Sequence, residues 1–371
     1  MLTIGIEEEY LLLHPISGHP VPAAAVVSEA AGLRSGLTPH EVQRELLQAQ
    51  LEIATPVCET LDEAGGHLLR LRHELAVAAE SHGVRLAAVA AAPVRAAAPP
   101  EVTDNPRYHA IHAQAPQLVD EQLINGMHVH VAVPDRALGV HVVNRLQRWL
   151  PILLAMSASS PLWDGRDTGF ASWRTLHFDR WPVAGPPPRF LDVEDYERRV
   201  EALSHAGIIL DRAQLYWHAR VSEQYPTVEL RACDVQLRVD DAIMIAGMAR
   251  GLAAAALEAE EAAEPMPLLP PELVRASSWH AARHGLSGHL LDLASGNPRS
   301  ADEVVREMLE YVTPQLRDSG DLRQVSALVD RLLRDGTGAE RQRQVLEQSG
   351  IDGLLGMVVA ETVACWHPVS A

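Results

Sequence analysis

Residues 5 to 13 read GIEEEYLLL, with Glu7, Glu8 and Glu9 set between Ile6 and the apolar run that starts at Tyr10. Side chains alternate across a strand, so residues two apart share a face. Glu7 and Glu9 then fall with Gly5, while Ile4, Ile6, Glu8 and Tyr10 take the other side. Three further stretches repeat this logic. In QAQLEIATP (48–56), Gln48, Gln50 and Glu52 oppose Leu51 and Ile53. In GMHVHVAV (126–133), His128 and His130 oppose Met127, Val129 and Val131. In PTVELRACDV (226–235), Glu229 and Arg231 oppose Val228 and Leu230.

Two readings of this pattern stand. One is an antiparallel sheet with a face in water. The other brings the polar faces together. Carboxylates gathered that way raise one another's pKa, and a divalent cation removes the cost. Oxygen ligands with one or two imidazoles suit Mg²⁺ or Mn²⁺. On this second reading Glu7 and Glu9 face the metal and Glu8 has a different task.

Composition narrows the function classes. The 371 residues are 47% hydrophobic with a mean hydropathy of -0.03, which predicts a folded chain with a sizeable core. The formal net charge of -18, with no basic stripe, argues against nucleic acid and against anionic membranes. The sequence contains no lysine, so all 31 basic residues are arginine. That excludes a P-loop, a protein kinase and a pyridoxal phosphate Schiff base, each of which needs a lysine. Cys58, Cys233 and Cys365 are scattered without a C-x-x-C pair, which suits a reducing cytosol. The apolar run 149–156 is too short to span a bilayer, and the first strand begins at once. The expectation is a cytoplasmic protein without a signal peptide.

Along the chain, periodic leucines predict a helix over 62–82, with Asp62 as N-cap and Gly83 as C-cap. A buried strand is expected at 84–94 and a helix at 139–156, kinked by Pro151. Residues 161–190 form a long Gly- and Pro-rich loop. Another helix runs from Asp240 to about Glu264, and PMPLLPP (265–271) breaks the chain. The remainder, from about 272 to 364, reads as helices packed on the first part within one domain spanning 1–371.

Seven pieces of this sequence, GIEEEYLLL, LEIATPVCETL, GMHVHVAV, GRDTGFASWR, WPVAGPPP, PTVELRACDVQ and RHGLSG, stand in the order and spacing of a known group. The chain resembles the carboxylate-amine ligases of the type 2 glutamate–cysteine ligase family, and is similar to the YbdK-type proteins. The resemblance implies an α+β fold, a curved antiparallel β-sheet funnel flanked by helices, of the glutamine synthetase and glutamate–cysteine ligase superfamily. It implies ATP-dependent ligation of a small carboxylate to an amine through an acyl phosphate, with Mg²⁺ (or Mn²⁺) on the ATP phosphates, in a homo-oligomer such as a dimer. Carried over residue by residue, it makes Glu7, Glu9, Glu52, His128 and Glu229 metal ligands and sets Arg231 on the transferring phosphoryl group. Arg174 and Arg220 become holders of the carboxylate or the phosphates, and Arg283 a nucleotide contact. Tyr108 and Trp279 read as packing residues, and His130 as a ligand, a supporting group or a strand histidine.

Three departures stand out. Gln48 occupies a position where several relatives carry glutamate, and Glu45 is the nearby acid. Ala91-Ala92-Pro93-Val94 replaces a Thr-His-Pro-Phe run. Trp217-His218-Ala219-Arg220 replaces Trp-Asp-x-Arg. The last two count against glutamate and cysteine as the substrate pair. Two other functions compete with the ligase: a metal-dependent amide hydrolase, distinguished by its independence of ATP, and a non-catalytic nucleotide-binding relative.

Overall fold

The computed structural model describes residues 1–33, 38 and 41–365. Its strands are β1 (Ile4–Leu13), β2 (Val42–Arg44), β3 (Gln50–Ala54), β4 (Arg85–Ala87), β5 (Gly126–Ala132), β6 (Leu162–Trp163), β7 (Arg166–Asp167), β8 (Ala219–Val221), β9 (Thr227–Asp234), β10 (His289–Asp292) and β11 (Asn297–Ser300). Among the described residues, seven of them form one sheet in the order β2-β3-β1-β5-β9-β8, with β4 beside the far end of β1. Every pairing in it is antiparallel. The pairs β6–β7 and β10–β11 are small separate hairpins.

The helices are α1 (Ala24–Gly32), α2 (Leu61–Ser81), α3 (Pro106–Gln114), α4 (Pro116–Asp120), α5 (Arg136–Leu146), α6 (Leu150–Met156), α7 (Trp173–Phe178), α8 (Val193–His205), α9 (Val239–Glu261), α10 (Pro271–His284), α11 (Ala301–Asp318), α12 (Leu322–Asp335) and α13 (Gly338–Thr362). α2 and α9 pack on the apolar face of the sheet, and α11 and α12 pack on α9. One apolar cluster runs from Ile4 in β1 to Leu332 in α12, so the C-terminal helices extend the same core. α9 is long and apolar enough to cross a membrane, yet 83% of its apolar window is buried inside the protein. Its Arg250 is neutralised there by Asp321 and donates to the Glu59 carbonyl (2.8 Å).

Glu8 shows what the apolar face does with an acid. It is fully buried, and Arg72 of α2 grips it through Nε (2.9 Å) and Nη2 (2.7 Å). Tyr10 donates its hydroxyl to the same carboxylate (2.5 Å). Arg72 also donates to the carbonyls of Leu237 (2.9 Å), Gln236 (2.8 Å) and Thr362 (3.3 Å), tying β1 and α2 to the segment before α9 and to the end of α13.

Several boundaries differ from expectation. Thr60, not Asp62, caps α2, because its hydroxyl and the Glu63 carboxylate form a reciprocal capping box. The helix expected at 139–156 is two helices, with Pro151 in the first turn of α6, where its missing N–H costs nothing. The strand expected at 84–94 stops at Ala87, since its alanines offer little to a pleated surface. The 161–190 loop contains β6, β7 and α7, and the β10–β11 hairpin interrupts the helical remainder.

Candidate functional site

The register of the sheet assembles the polar residues. Glu7 stands opposite His128, and Glu9 opposite Glu52. His130 stands opposite Glu229, and Glu229 opposite Arg220. All seven, with Arg174 and Arg231, line one cavity of about 1340 Å³ on the polar face of the sheet.

At its centre Glu7, His128 and Glu229 each offer a ligand atom within 4.8 Å of the others. His128 Nδ1 lies 3.1 Å from Glu7 and 3.6 Å from Glu229, while its buried Nε2 has no hydrogen-bond partner among the described residues. His130 Nε2 comes within 3.4 Å of Glu7, and its Nδ1 meets Thr227 Oγ1 at 2.8 Å. Burial pushes the Glu7 carboxyl up, but hydrogen bonds from the two imidazoles and their charge hold it well below the usual carboxylate range. Burial likewise works against Glu229 ionising, and the Arg231 and Arg220 guanidiniums overcome it.

Glu52 goes the other way. Burial, then the neighbouring Glu45, Glu7 and Glu9, push its carboxyl well above the usual range. A cluster in which burial and neighbouring carboxylates disfavour the charge on one carboxyl, beside an unpartnered buried imidazole nitrogen, fits a divalent cation by its donor chemistry. Glu9 already accepts from the Gly126 N–H at 2.5 Å.

The arginines differ in posture. Arg220 grips Glu229 through Nε (2.7 Å) and Nη2 (3.3 Å), and Arg231 pairs with the same carboxylate. The buried Arg231 Nε has no partner among the described residues. The Arg174 guanidinium lies 5.4 Å from the Phe178 ring and donates to the Arg231 carbonyl at 3.4 Å.

Arg283 is not brought to this cavity. It sits on α10 with its guanidinium 5.3 Å from the Phe170 ring, outside the lining of this cavity. Trp279 is half exposed and meets the edge of Phe170 at 5.7 Å, as a packing residue would. Tyr108 packs against the apolar cluster of Leu11, Ile111 and Trp181, as read, and also lines the cavity. Gln48 does not line it: its amide bonds the Val102 carbonyl at 3.2 Å. Glu45 supplies the acid beside Glu52 instead.

Glu45, named as the nearby acid, is the one beside Glu52; sequence reasoning missed the Arg107–Asp211 pair at the rim (2.5 Å) and buried Asp234. Asp234 was hidden by a bulge. Leu230 pairs with Val129 and Cys233 with Met127, so two residues of β9 face His128 and strict alternation fails.

A family model described as glutamate–cysteine ligase family 2 (GCS2) matches residues 3–361. A Salinispora arenicola protein named "Putative glutamate--cysteine ligase 2" is 42% identical over 363 residues, covering 97% of this chain and 95% of that relative. A Rhodopirellula baltica protein of the same name is 38% identical over 363 residues, 97% of each. Among solved structures, glutamate–cysteine ligase from Francisella tularensis in complex with AMP superposes with a TM-score of 0.73 at 12% identity, covering 97% of this chain and 88% of that one. A bifunctional glutathione synthetase from Pasteurella multocida gives 0.66 at 16% identity, covering 98% of this chain and 51% of that one. These two structures bear on the fold.

Proposed function

Because the chain belongs to glutamate–cysteine ligase family 2, we propose that it is an ATP-dependent carboxylate–amine ligase whose site is the cavity on the polar face of the sheet. The observation that carries the reading is the meeting of Glu7, His128 and Glu229 with Arg220 and Arg231 on one wall of that cavity. In the proposed reaction a carboxylate oxygen attacks the γ-phosphorus of ATP and ADP leaves. The amine nitrogen then attacks the acyl carbon of the acyl phosphate. Phosphate departs, the nitrogen gives up a proton, and an amide remains.

Mg²⁺ or Mn²⁺, held by Glu7, His128 and Glu229 with Glu9 and Glu52 at their side, would supply Lewis acidity toward the phosphate oxygens. The arginines supply the rest of the positive charge. Arg231 has an unpartnered buried Nε to turn to a phosphoryl oxygen, and its planar fork matches phosphate geometry. Arg220 holds Glu229 ionised beside it. Arg174, which donates to the Arg231 carbonyl, stands in the same lining for a substrate anion. Phosphoryl transfer asks for this kind of positioning and charge neutralisation more than for covalent help.

Among the described residues no cysteine lines the cavity: Cys58 and Cys233 are buried in the apolar core, where burial pushes the Cys233 thiol up to about 11, and exposed Cys365 is outside the lining. Adenylation is the rival route. The test is nucleotide release against a panel of amino acids crossed with amines, beginning with the glutamate and cysteine that the relatives' names point to. An ¹⁸O-labelled carboxylate should pass one labelled oxygen to inorganic phosphate, with ADP as the nucleotide product. Label in AMP, or amide formed without nucleotide turnover, would refute the reading. We place the reaction in the cytosol, which the unpaired cysteines support, and in a homo-oligomer, which the family resemblance supports and light scattering would test.

A further inference from the structure

We propose that Asp234 and Gly126 are positioning residues that hold the Arg174 guanidinium aimed at the carboxylate of an organic substrate. The inference rests on the ligase reading and extends it to residues that touch no ligand. Asp234 closes β9 and is 1% exposed. Its Oδ2 accepts from the Ser159 N–H (2.8 Å) and the Ser160 hydroxyl (2.7 Å), and its Oδ1 from the Ser172 hydroxyl (2.8 Å). The same serines set the start of α7. Ser160 Oγ accepts the Arg174 N–H at 3.0 Å, and Ser172 caps the helix through the Thr175 N–H at 3.3 Å.

Asp234 thus fixes the backbone of Arg174 through the two serines and, from 3.9 Å, presents a counter-charge to its Nη1. At that distance it does not bind the guanidinium as a closed fork, so the donors of Arg174 other than the Nη2 N–H on the Arg231 carbonyl are left for the cavity. On the other side lies Gly126. A Cβ there would stand 2.3 Å from Arg174 Nη2 and 2.9 Å from its Cζ, so the guanidinium occupies the space that only glycine leaves.

The ligand chemistry follows from the surroundings. Arg220 and Arg231 gather on Glu229, beside the carboxylate and imidazole cluster that suits polyphosphate and its cation. Arg174 stands near Phe178, in a cavity also lined by Ile111, Ile124 and Tyr216, which suits the carbon body of an organic acid. A substrate with a second, non-reacting carboxylate, such as an acidic amino acid or succinate, would meet Arg174 with that group while its other carboxylate reaches the γ-phosphate.

The experiment measures binding of the twenty L-amino acids and succinate by thermal shift and calorimetry with Mg²⁺ and a non-hydrolysable ATP analogue. Wild type, Asp234→Asn, Gly126→Ala, Arg174→Met and the Asp234→Asn/Arg174→Met double variant are compared. Wild type should bind at least one of these acids. Asp234→Asn and Gly126→Ala should each weaken that acid about tenfold to a hundredfold, the scale of a charge-assisted hydrogen bond pair. Nucleotide affinity should stay within about twofold. The double variant should bind no worse than Arg174→Met alone, because Asp234 acts through Arg174. Gly126→Ala leaves every hydrogen bond of Asp234 in place and meets only a flexible side-chain tip, so it tests the idea even if Asp234→Asn does not fold. Unchanged acid affinity in Gly126→Ala, additive losses in the double variant, or a wild type that binds the nucleotide analogue and none of the acids would overturn the proposal. A wild type that binds no nucleotide would instead overturn the ligase reading.

Discussion

Glu8→Gln should destabilise the protein and leave its metal chemistry alone, whereas Glu7→Gln should do the reverse. Glu8 and Arg72 are both fully buried and form a two-point ion pair. Removing one charge of such a pair strands the other, at a cost of about 3–5 kcal/mol. The unfolding entropy of a 371-residue chain, at about 2.1 cal/mol/K per residue, is roughly 0.8 kcal/mol/K. The expected loss in Tm for Glu8→Gln is therefore about 4–6 °C. Glu7 is partly exposed, at 22%, and its partners are imidazoles that can shed their charge. Its replacement should move the apo Tm by only about 1–2 °C, within the usual range for such substitutions, and sharply weaken Mn²⁺ binding in calorimetry. Replacing both members of the buried pair, Glu8→Leu with Arg72→Met, should recover much of the loss, because no lone charge remains. A Glu8→Gln melt within about 1 °C of wild type, or Mn²⁺ affinity falling equally in both single variants, would refute the assignment of these neighbours to opposite faces.

Three further outcomes are expected. Glu52→Gln and Glu229→Gln should each cost most of the Mg²⁺ or Mn²⁺ affinity measured by calorimetry with ATP present; retained affinity would remove these residues from the site. Arg231→Lys should lose about 10³- to 10⁵-fold in turnover, because an ammonium keeps the charge without the planar fork; near-wild-type turnover would make Arg231 a brace for β9. His177 is held at about 4, first by burial and then by the Arg180 guanidinium. The unfolded chain, titrating near 6.5, thus binds more protons in between, and stability falls as pH drops from about 6.5 to 4, by up to about 3 kcal/mol. His177→Gln should flatten that part of a urea-denaturation pH profile, and an unchanged slope would place the titration elsewhere.

The central strands were legible because they obey the simplest rule in the sequence. In β5 an imidazole every second residue against Met127, Val129 and Val131, and in β1 Glu7 and Glu9 against Ile6 and Tyr10, mark both faces without help from the rest of the fold, with Glu8 the one acid on the apolar side. The partner of Glu8 was not legible. Arg72 is far along the chain on a helix whose own pattern predicts only an apolar stripe. Asp234 was lost to the β9 bulge, which adds a residue without a sequence signal strong enough to place it. Gln48 misled for a related reason. Spacing by fours from Glu52 assumes that the strand continues backward, whereas β3 begins at Gln50. Arg283 shares a motif with Gly285, which at φ 57° packs the α10 end against Ala171 in the segment before α7.

The departures from the family pattern carry less weight for substrate choice than their sequence positions imply. Ala92 is fully buried in the second apolar cluster with Val89, Leu123 and Trp181, and its N–H bonds the Leu123 carbonyl at 3.0 Å. It lies outside the cavity lining. His218 is also buried and outside the lining. Its Nε2 lies 3.5 Å from Asp179 at the end of α7, and its carbonyl accepts the Arg231 N–H at 2.7 Å. An imidazole so placed supports the backbone behind Arg231 and meets a carboxylate from another element, so negative charge stays near position 218 although the residue itself has none. Gln48 faces Val102, and Glu45 stands beside Glu52 in its stead. Glu7, Glu9, Glu52, His128, Glu229, Arg174, Arg220 and Arg231, which the family pattern names, all line the cavity. Glutamate and cysteine are therefore the first pair to test, in a cavity that Tyr108, Tyr216 and Phe178 line together with Arg174.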